Sequence, residues 1–263
     1  MNEESSLRKR HPIGAPPGTL MHLGEQRSDP VSMQVVTYDR DEVLINPEAT
    51  VDNLVSHLED PRLTWIMISG VHDPVVTRTV GECCSIHPLF LEDIMNTMIR
   101  PKIEILDGQI LVIMKTADYH PQTREIIQRQ VSLIIGPGYV ITFSEEPSDI
   151  FDPLLKRIRT KGSLIRSKAA DFLGYAVMDI LIDRYYHMLD SLEEEIELLE
   201  NAILDEPRQE HSMRIHRFRT QLITFSRSRA RNPVWVNFTI SRFATMFLLP
   251  HFPGFFQELF IIC

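Results

Sequence analysis

Four short runs of β-type residues between positions 102 and 143 constrain the fold of this chain more than any other feature. The runs cover residues 102–105, 109–115, 128–135 and 139–143, and turn-forming segments such as Leu106-Asp107-Gly108 and Gly136-Pro137-Gly138 separate them. Such short connections predict antiparallel hairpins. The stretch Val131-Ser132-Leu133-Ile134-Ile135 is typical of a strand that is covered on both faces. Helices must therefore flank the sheet, which places the chain in the α/β class.

The residues before these runs extend the same α/β unit. Residues 33–38 and 63–68 are further β-type runs, and residues 51–58 predict a helix with Thr50 as its N-cap. Residues 1–32 are rich in charge, Pro and Gly and predict a disordered tail without a packed element. Within the predicted sheet we expect these side chains to be buried: Leu111, Ile113, Val131, Ile134 and Val140.

The second half of the chain has the pattern of helices. Residues 148–160 predict a helix with a basic C-terminal end, and a longer helical region begins near residue 169. Asp205-Glu206-Pro207 should break that region, since proline fixes φ and disfavours the α conformation at the residue before it. An antiparallel helical hairpin is expected, with an apolar seam whose members lie three or four positions apart. The seam comprises Leu189, Leu192, Ile196, Leu199 and Ile203, followed by Met213 or Ile215, Phe218, Leu222 and Phe225.

Composition excludes several classes of protein. The chain has 27 Lys and Arg against 36 Asp and Glu, a net charge of −9, which disfavours nucleic acid and favours cations or basic partners. Its three cysteines have neither zinc nor disulfide spacing and fit a reducing compartment. There is no apolar signal peptide and no run of roughly 18 apolar residues. The chain by itself is expected to be soluble and cytoplasmic.

Two pairs of carboxylates are the candidate metal ligands. Glu92 and Asp93 are adjacent on a short amphipathic segment, and Asp179 and Asp183 lie four apart on one helical face. Hard divalent cations take oxygen ligands, and Mg²⁺ keeps several waters while using one or two carboxylates. The alternative for Glu92 and Asp93 is a solvated helix face with Arg100 or Lys102 as partner. An exposed acidic helix is equally compatible with Asp183, and the glutamate run 193–200 is read as a solvated face.

No catalytic signature is present, so we expect the chain not to be an enzyme. Gly-x-Ser-x-Gly, phosphate-binding Gly-x-x-x-x-Gly-Lys and His-Glu-x-x-His sequences are all absent. A hydrolase that used Glu92 and Asp93 would need a cleft with a perturbed carboxylate pKa. A soluble metal-responsive or adaptor protein remains an alternative function, because it would share the acidic residues without needing a membrane span.

Several ordered motifs resemble the cytosolic domain of CorA-type magnesium and cobalt channels. The resemblance extends over about two hundred residues to about Phe225. It implies an α/β/α domain with a mixed, largely antiparallel sheet, then a long-helix hairpin beside a stalk helix. The motifs are His87-Pro88-Leu89-Phe90-Leu91-Glu92-Asp93-Ile94-Met95-Asn96, Arg100-Pro101-Lys102-Ile103-Glu104, Gln130-Val131-Ser132-Leu133 and Phe151-Asp152-Pro153.

The resemblance also implies a function and partners. Five subunits form a funnel at the cytoplasmic side of the cell membrane, and Mg²⁺, or alternatively Co²⁺, bound between subunits holds the gate closed. By resemblance Glu92 and Asp179 share one intersubunit site. Asp93 belongs to a second site with an aspartate of the neighbouring stalk helix, and Asp183 has weaker support as a ligand.

The chain divides into four predicted segments, and the resemblance is lost in the last of them. These are the tail 1–32, an α/β/α regulatory domain 33–165, an acidic hairpin with the start of the stalk helix 166–226, and an aberrant segment 227–263. In the family this last part should continue the stalk helix to two membrane spans joined by a Gly-Met-Asn loop. Our hypothesis is a reading-frame change shortly after Phe225. We expect the stalk helix not to continue as a regular packed helix to the C-terminus, because the segment 227–263 includes Pro233, Pro250 and Pro253.

Overall fold

A computed structural model gives the fold of most of the chain. It describes residues 14, 16–25, 30–147, 149–206 and 208–229, without the side chains of residues 212 and 222–229. The predictions on the aberrant C-terminal segment lie outside the described residues from position 230 onward.

The described residues form an alternation of strands and helices that ends in two long helices. In chain order the elements are β1 (Ser32–Tyr38), β2 (Val43–Asn46), α1 (Val51–Leu58), β3 (Leu63–Ser69), α2 (Pro74–Cys83), α3 (Pro88–Met95), β4 (Lys102–Leu106), β5 (Gln109–His120), β6 (Glu125–Gly136), β7 (Tyr139–Ser144), α4 (Asp152–Arg159), α5 (Ala170–Asp205) and α6 (Gln209–Arg229).

The strands form one seven-stranded mixed sheet in the order β2-β1-β3-β7-β6-β5-β4. Every neighbouring pair is antiparallel except β3 and β7, which run parallel in the centre. The β4–β5 hairpin closes with Leu106 opposite Gln109. Asp107 and Gly108 between them have φ of 51° and 76°, the left-handed values that a type I′ turn requires. The predicted mixed, largely antiparallel sheet is confirmed.

Helices cover both faces of the sheet and so confirm the α/β/α layers. One apolar cluster joins α1, α2 and α3 to one face, and the other joins α4 and α5 to the opposite face. Successive residues alternate between the clusters, as strand geometry requires: Leu111 and Ile113 belong to the first, Val112 and Met114 to the second. All five side chains predicted to be buried are at most 3% exposed.

Two elements were missed by the sequence analysis. Strand β2 at the edge of the sheet is only four residues long, too short for an alternation to be read from sequence. Helix α2 has Pro74 at its start and Asp73 as N-cap, whose side chain accepts hydrogen bonds from Val75 N and Val76 N. That arrangement is a known start signal for a helix. It could therefore have been predicted.

The expectation of a tail without packed elements is wrong for residues 16–25. Leu23 forms a parallel bridge with Asn96 and is only 6% exposed. Its N–H donates to Met95 O at 3.0 Å, and its carbonyl accepts from Thr97 N at 2.8 Å. Main-chain hydrogen bonds hold this segment in place. Such bonds leave no hydrophobic periodicity in the sequence from which the packing could have been predicted.

The predicted helical hairpin is confirmed, with corrections in its seam. Leu192, Leu199 and Phe218 are buried, but Ile196 on α5 is 37% exposed, and Met213 and Ile215 on α6 are 62% and 49% exposed. The seam therefore enters α6 only at Phe218, whose ring packs on Tyr119 with centroids 6.1 Å apart. The same contact explains why β5 and β6 extend beyond the β-type runs 109–115 and 128–135, since the helical hairpin covers the ends of both strands.

One glutamate of the acidic run is structural rather than solvated. The Glu195 carboxylate lies 2.7 Å from Arg214 Nη2 on α6 and 3.4 Å from Arg124 Nε in the β5–β6 turn. Its side chain is 13% exposed. Gln221 of α6 adds a hydrogen bond to Arg124 O at 3.0 Å. Glu195 thus joins both long helices to the sheet.

Replacing Ile134 with Ala should lower the free energy of unfolding by about 2 to 5 kcal/mol, because Ile134 is fully buried and its loss leaves a cavity. The matched control is Ile105→Ala on β4, where the side chain is 48% exposed and the loss should stay below about 1 kcal/mol. Chemical denaturation of both variants measures the difference. Equal losses would contradict the layer assignment.

Glu195→Gln should lower the free energy of unfolding by about 1 to 3 kcal/mol, since it leaves two arginines without their carboxylate. Its neighbour Glu194 is exposed, so Glu194→Gln is the control and should have little effect. Hydrogen exchange in α6 should rise in Glu195→Gln alone. Unchanged exchange in both variants would show that Glu195 does not hold the hairpin.

Candidate metal site

Helix α3 presents the first pair of candidate ligands. It begins at Pro88, whose fixed φ suits the first helical position, and His87 Nδ1 accepts a hydrogen bond from Leu89 N at 3.2 Å as N-cap. Glu92 and Asp93 lie half-buried at the border of its apolar face. The buried side chains of that face are Phe90, Leu91, Ile94 and Met95.

Glu92 is held by the N-terminal segment. Its Oε2 accepts a hydrogen bond from Gly18 N at 2.6 Å. A hydrogen bond from a backbone N–H to a carboxylate is charge-assisted and stronger than a bond between two neutral groups. The contact joins residues 74 positions apart in the chain, and sequence reasoning gave no hint of it.

Asp93 is engaged in an ion pair within the chain. Its Oδ2 lies 2.6 Å from Lys102 Nζ, which also binds Glu104 Oε1 at 2.9 Å. Burial raises the pKa of Asp93, although the Lys102 ammonium opposes that shift. Burial also acts to lower the pKa of Lys102, but hydrogen bonds to its two carboxylate partners outweigh it and raise that pKa. Asp93 therefore has the lysine partner that the sequence analysis gave as an alternative to a cation.

Asp179 and Asp183 lie half-buried on α5. Since α3 and α5 pack on opposite faces of the sheet, the fold does not bring either aspartate to Glu92 or Asp93 within one chain. Among the described residues, no group of three or more His, Cys, Asp or Glu side chains could hold a metal ion.

An ion-pair network beside Asp183 joins α5 to the sheet. Arg184 Nε lies 2.7 Å from Asp118 Oδ1, and Arg129 of β6 pairs with Glu146. These residues line a cavity of about 510 Å³ between the β5–β6 hairpin, the segment after β7 and α5. The ion pair of Arg184 with Asp118 holds the part of α5 that carries Asp179 and Asp183 against the sheet.

A half-buried lysine anchors the end of α3. Lys115 Nζ donates to Thr97 O, just beyond α3, and to Gln130 Oε1 at 3.0 Å. Gln130 Nε2 in turn donates to Ile94 O within α3 at 3.3 Å. Burial lowers the pKa of Lys115 to about 8. The alternation of β5 could have indicated this residue, because Lys115 follows Leu111 and Ile113 on the same face.

The contribution of Lys115 to the free energy of unfolding should rise between about pH 8 and 10.5. Unfolded lysine keeps its proton up to about pH 10.5, so the unfolded chain binds more protons in that window and stability increases with pH. Buried Cys84 and Tyr139, whose pKa values burial raises to about 12, act in the opposite direction.

The measurement is therefore the difference in unfolding free energy between the wild type and Lys115→Met. That difference should shift in favour of the wild type from pH 8 to pH 10.5, because the variant lacks the titrating group. A difference that stays constant with pH would show that Lys115 titrates normally in the folded chain.

Comparison with solved structures identifies the architecture as that of a CorA soluble domain. The complete CorA magnesium transporter of Methanocaldococcus jannaschii matches with a TM-score of 0.64 at 19% identity, covering 87% of this chain and 68% of that one. The soluble domain of CorA from the same organism matches with a TM-score of 0.60 at 18% identity, covering 88% and 86%. At these identities the likeness concerns the fold alone.

Sequence comparison shows the family. Residues 60–234 match the family described as CorA-like Mg²⁺ transporter protein. The cobalt/magnesium transport protein CorA of Thermotoga maritima is 35% identical over 222 residues, which are 84% of this chain and 62% of that protein. The magnesium transporter ALR1 of Saccharomyces cerevisiae is 24% identical over 141 residues, 53% of this chain and 16% of that protein. The chain belongs to the CorA-like Mg²⁺ transporter family.

Family membership confirms the predicted family and the prediction that the chain is not an enzyme. The recognised family is the expected one, and its members are transporters, so the chain is not an enzyme. The chain spans less than two thirds of the length of the curated relatives named above. Within the described residues no helix has the length and apolar character needed to cross a membrane.

Proposed function

We propose that this chain is the cytosolic Mg²⁺-sensing part of a CorA-type divalent cation channel, with Mg²⁺ or Co²⁺ as the ion. Residues 33–165 form its regulatory domain, and residues 166–226 form the acidic hairpin with the start of the stalk helix. The proposal is supported above all by the positions of Glu92 and Asp179 on opposite layers of a fold that belongs to a transporter family.

This separation favours a site between two subunits. A single ion cannot join α3 to α5 through a sheet whose two faces are both packed with apolar side chains. The outer surface of α3 in one subunit can meet the outer surface of α5 in the next, and repeated contacts of this heterologous kind can close into a ring. The family resemblance suggests a ring of five.

The chemistry of Glu92 and Asp179 suits a hydrated Mg²⁺ ion. Mg²⁺ is octahedral and gives up its waters reluctantly, so one or two carboxylates are sufficient. Asp183 lies one turn further along α5 and adds negative charge on the same side. The net charge of −9 also favours cations near the surface.

Asp93 is the weaker candidate in the isolated chain. A cation that used its Oδ2 would have to displace Lys102, which lies 2.6 Å away in a pair whose side chains are only 18% and 27% exposed. We therefore assign the cation site to Glu92 and Asp179. The ion pair of Asp93 with Lys102 holds the neighbouring part of α3 to β4.

Control of the gate follows from differential affinity. An ion that binds only where two subunits meet in a symmetric ring stabilises that arrangement by the free energy of its binding. In the whole protein this arrangement corresponds to the closed gate at the cytoplasmic side of the membrane. Loss of Mg²⁺ then lets the subunits move apart and the gate open.

Mg²⁺ should raise the melting temperature of the chain, and Glu92 and Asp179 should carry the effect. At ten times the dissociation constant, one site stabilises the folded state by about 1.4 kcal/mol, which corresponds to about 3 to 6 °C for a domain of this size. Differential scanning fluorimetry with and without Mg²⁺ should show a shift at or below this range. Asp179→Asn should reduce it, and Asp93→Asn should leave it nearly unchanged.

Mixing two variants tests whether the site lies between subunits. Glu92→Gln and Asp179→Asn chains should each respond weakly to Mg²⁺. In the mixture, Asp179 of the first chain can face Glu92 of the second, so part of the response should return. A shift that is lost in Asp93→Asn and kept in Asp179→Asn, or a mixture without recovery, would overturn this assignment.

A further inference from the structure

The segment of residues 16–25, here called the N-terminal strap, crosses the end of α3 and reaches the candidate metal site. Leu23 attaches it by the bridge to Asn96 and the hydrogen bonds with Met95 and Thr97. Leu20 packs against the apolar cluster that contains α3. The strap is therefore fixed at two points, by Leu23 at the end of α3 and by Leu20 on the apolar cluster.

The turn at Gly18 brings the strap into contact with the first turn of α3. Gly18 has φ of +81°, a left-handed value that favours glycine. A Cβ atom at this position would lie 2.9 Å from Pro88 Cβ, closer than two carbon atoms can pack. Only glycine allows the backbone N–H to approach Glu92 Oε2 to 2.6 Å.

We propose that the N-terminal strap is a positioning element of the metal site, in which the Gly18 N–H orients the Glu92 carboxylate for the divalent cation. This inference rests on the function proposed above. A carboxylate has about four lone-pair sites, so it can accept a hydrogen bond and bind a cation at the same time. Metal-ligating carboxylates are commonly held by such outer hydrogen bonds, whose loss typically weakens metal affinity by roughly 10 to 100 fold.

The strap and the cation are then thermodynamically coupled. If docking of the strap favours Mg²⁺ binding, Mg²⁺ binding must favour docking of the strap by the same factor. The position of residues 16–25 would thereby report on metal occupancy. A strap that merely covers the end of α3 would contribute to stability and leave Mg²⁺ affinity unchanged.

The chain offers a matched pair of glycines for the test. Gly14 has φ of +88°, and among the described residues nothing lies within 4 Å of a Cβ atom built on it. Gly14→Ala and Gly18→Ala thus impose similar left-handed strain, but only Gly18→Ala moves the N–H that binds Glu92. Leu23→Ala releases the strap at its other attachment and serves as a second variant.

Mg²⁺ affinity should separate these variants in titration calorimetry of the full chain. We expect the dissociation constant to rise roughly 10 to 100 fold in Gly18→Ala, to rise in the same direction in Leu23→Ala, and to stay near the wild-type value in Gly14→Ala. Equal affinity in Gly18→Ala and Gly14→Ala would overturn the positioning role, even if Gly18→Ala lowered the melting temperature without metal.

Hydrogen exchange provides the reciprocal readout. Mg²⁺ should slow amide exchange in peptides covering residues 16–25 of the wild type and should have no such effect in Glu92→Gln. If the wild type binds Mg²⁺ but amide exchange in residues 16–25 does not change, the coupling is refuted and the proposed function is unaffected. A wild type without any saturable Mg²⁺ response would remove the proposed function and this inference together.

Discussion

Burial of the central sheet on both faces is the constraint on which the rest of the structure depends. Strands β3, β7 and β6 supply apolar side chains to two separate clusters, so each face must be covered by helices. α3 and α5 are thereby placed on opposite sides of a layer through which no ion or side chain can reach. Carboxylates that are far apart in sequence thus lie on opposite layers of the fold, which is the arrangement that a repeating contact between identical subunits can use.

Charge inside this framework is placed at the expense of stability. Lys115 is half-buried with its pKa lowered to about 8, and Asp93 is half-buried with a raised pKa beside Lys102. Both groups fix α3 through hydrogen bonds: Lys115 at its C-terminal end, Asp93 toward β4. The local rigidity that results is of use to a ligand-binding helix, since a carboxylate whose backbone moves binds a cation less well.

The strands and helices could be predicted from the sequence, but the contacts between segments distant in the chain could not. Strand alternation and the Asp107-Gly108 turn located β4 to β7, because these signals depend on residues close together in the chain. The docking of Leu23 and the bond from Gly18 to Glu92 could not be read, since they use the main chain of a segment without periodicity. Glu92 and Asp179 were singled out as candidate ligands by resemblance. Their placement on opposite layers required the fold, and a shared ion between them remains a proposal.

The length of α5 has a mechanical consequence. Its 36 residues form a rod of about 54 Å at a rise of about 1.5 Å per residue, and Glu195 joins it to the β5–β6 turn near its distal third. A rod attached at two distant points cannot tilt against the sheet without breaking one of them. If the Glu195 attachment gave way, a tilt of about 5° at the sheet would carry the far tip through about 5 Å. The Glu195 ion pairs, the hydrogen bond from Gln221 and the contact of Phe218 with Tyr119 together limit how far the helical hairpin can tilt.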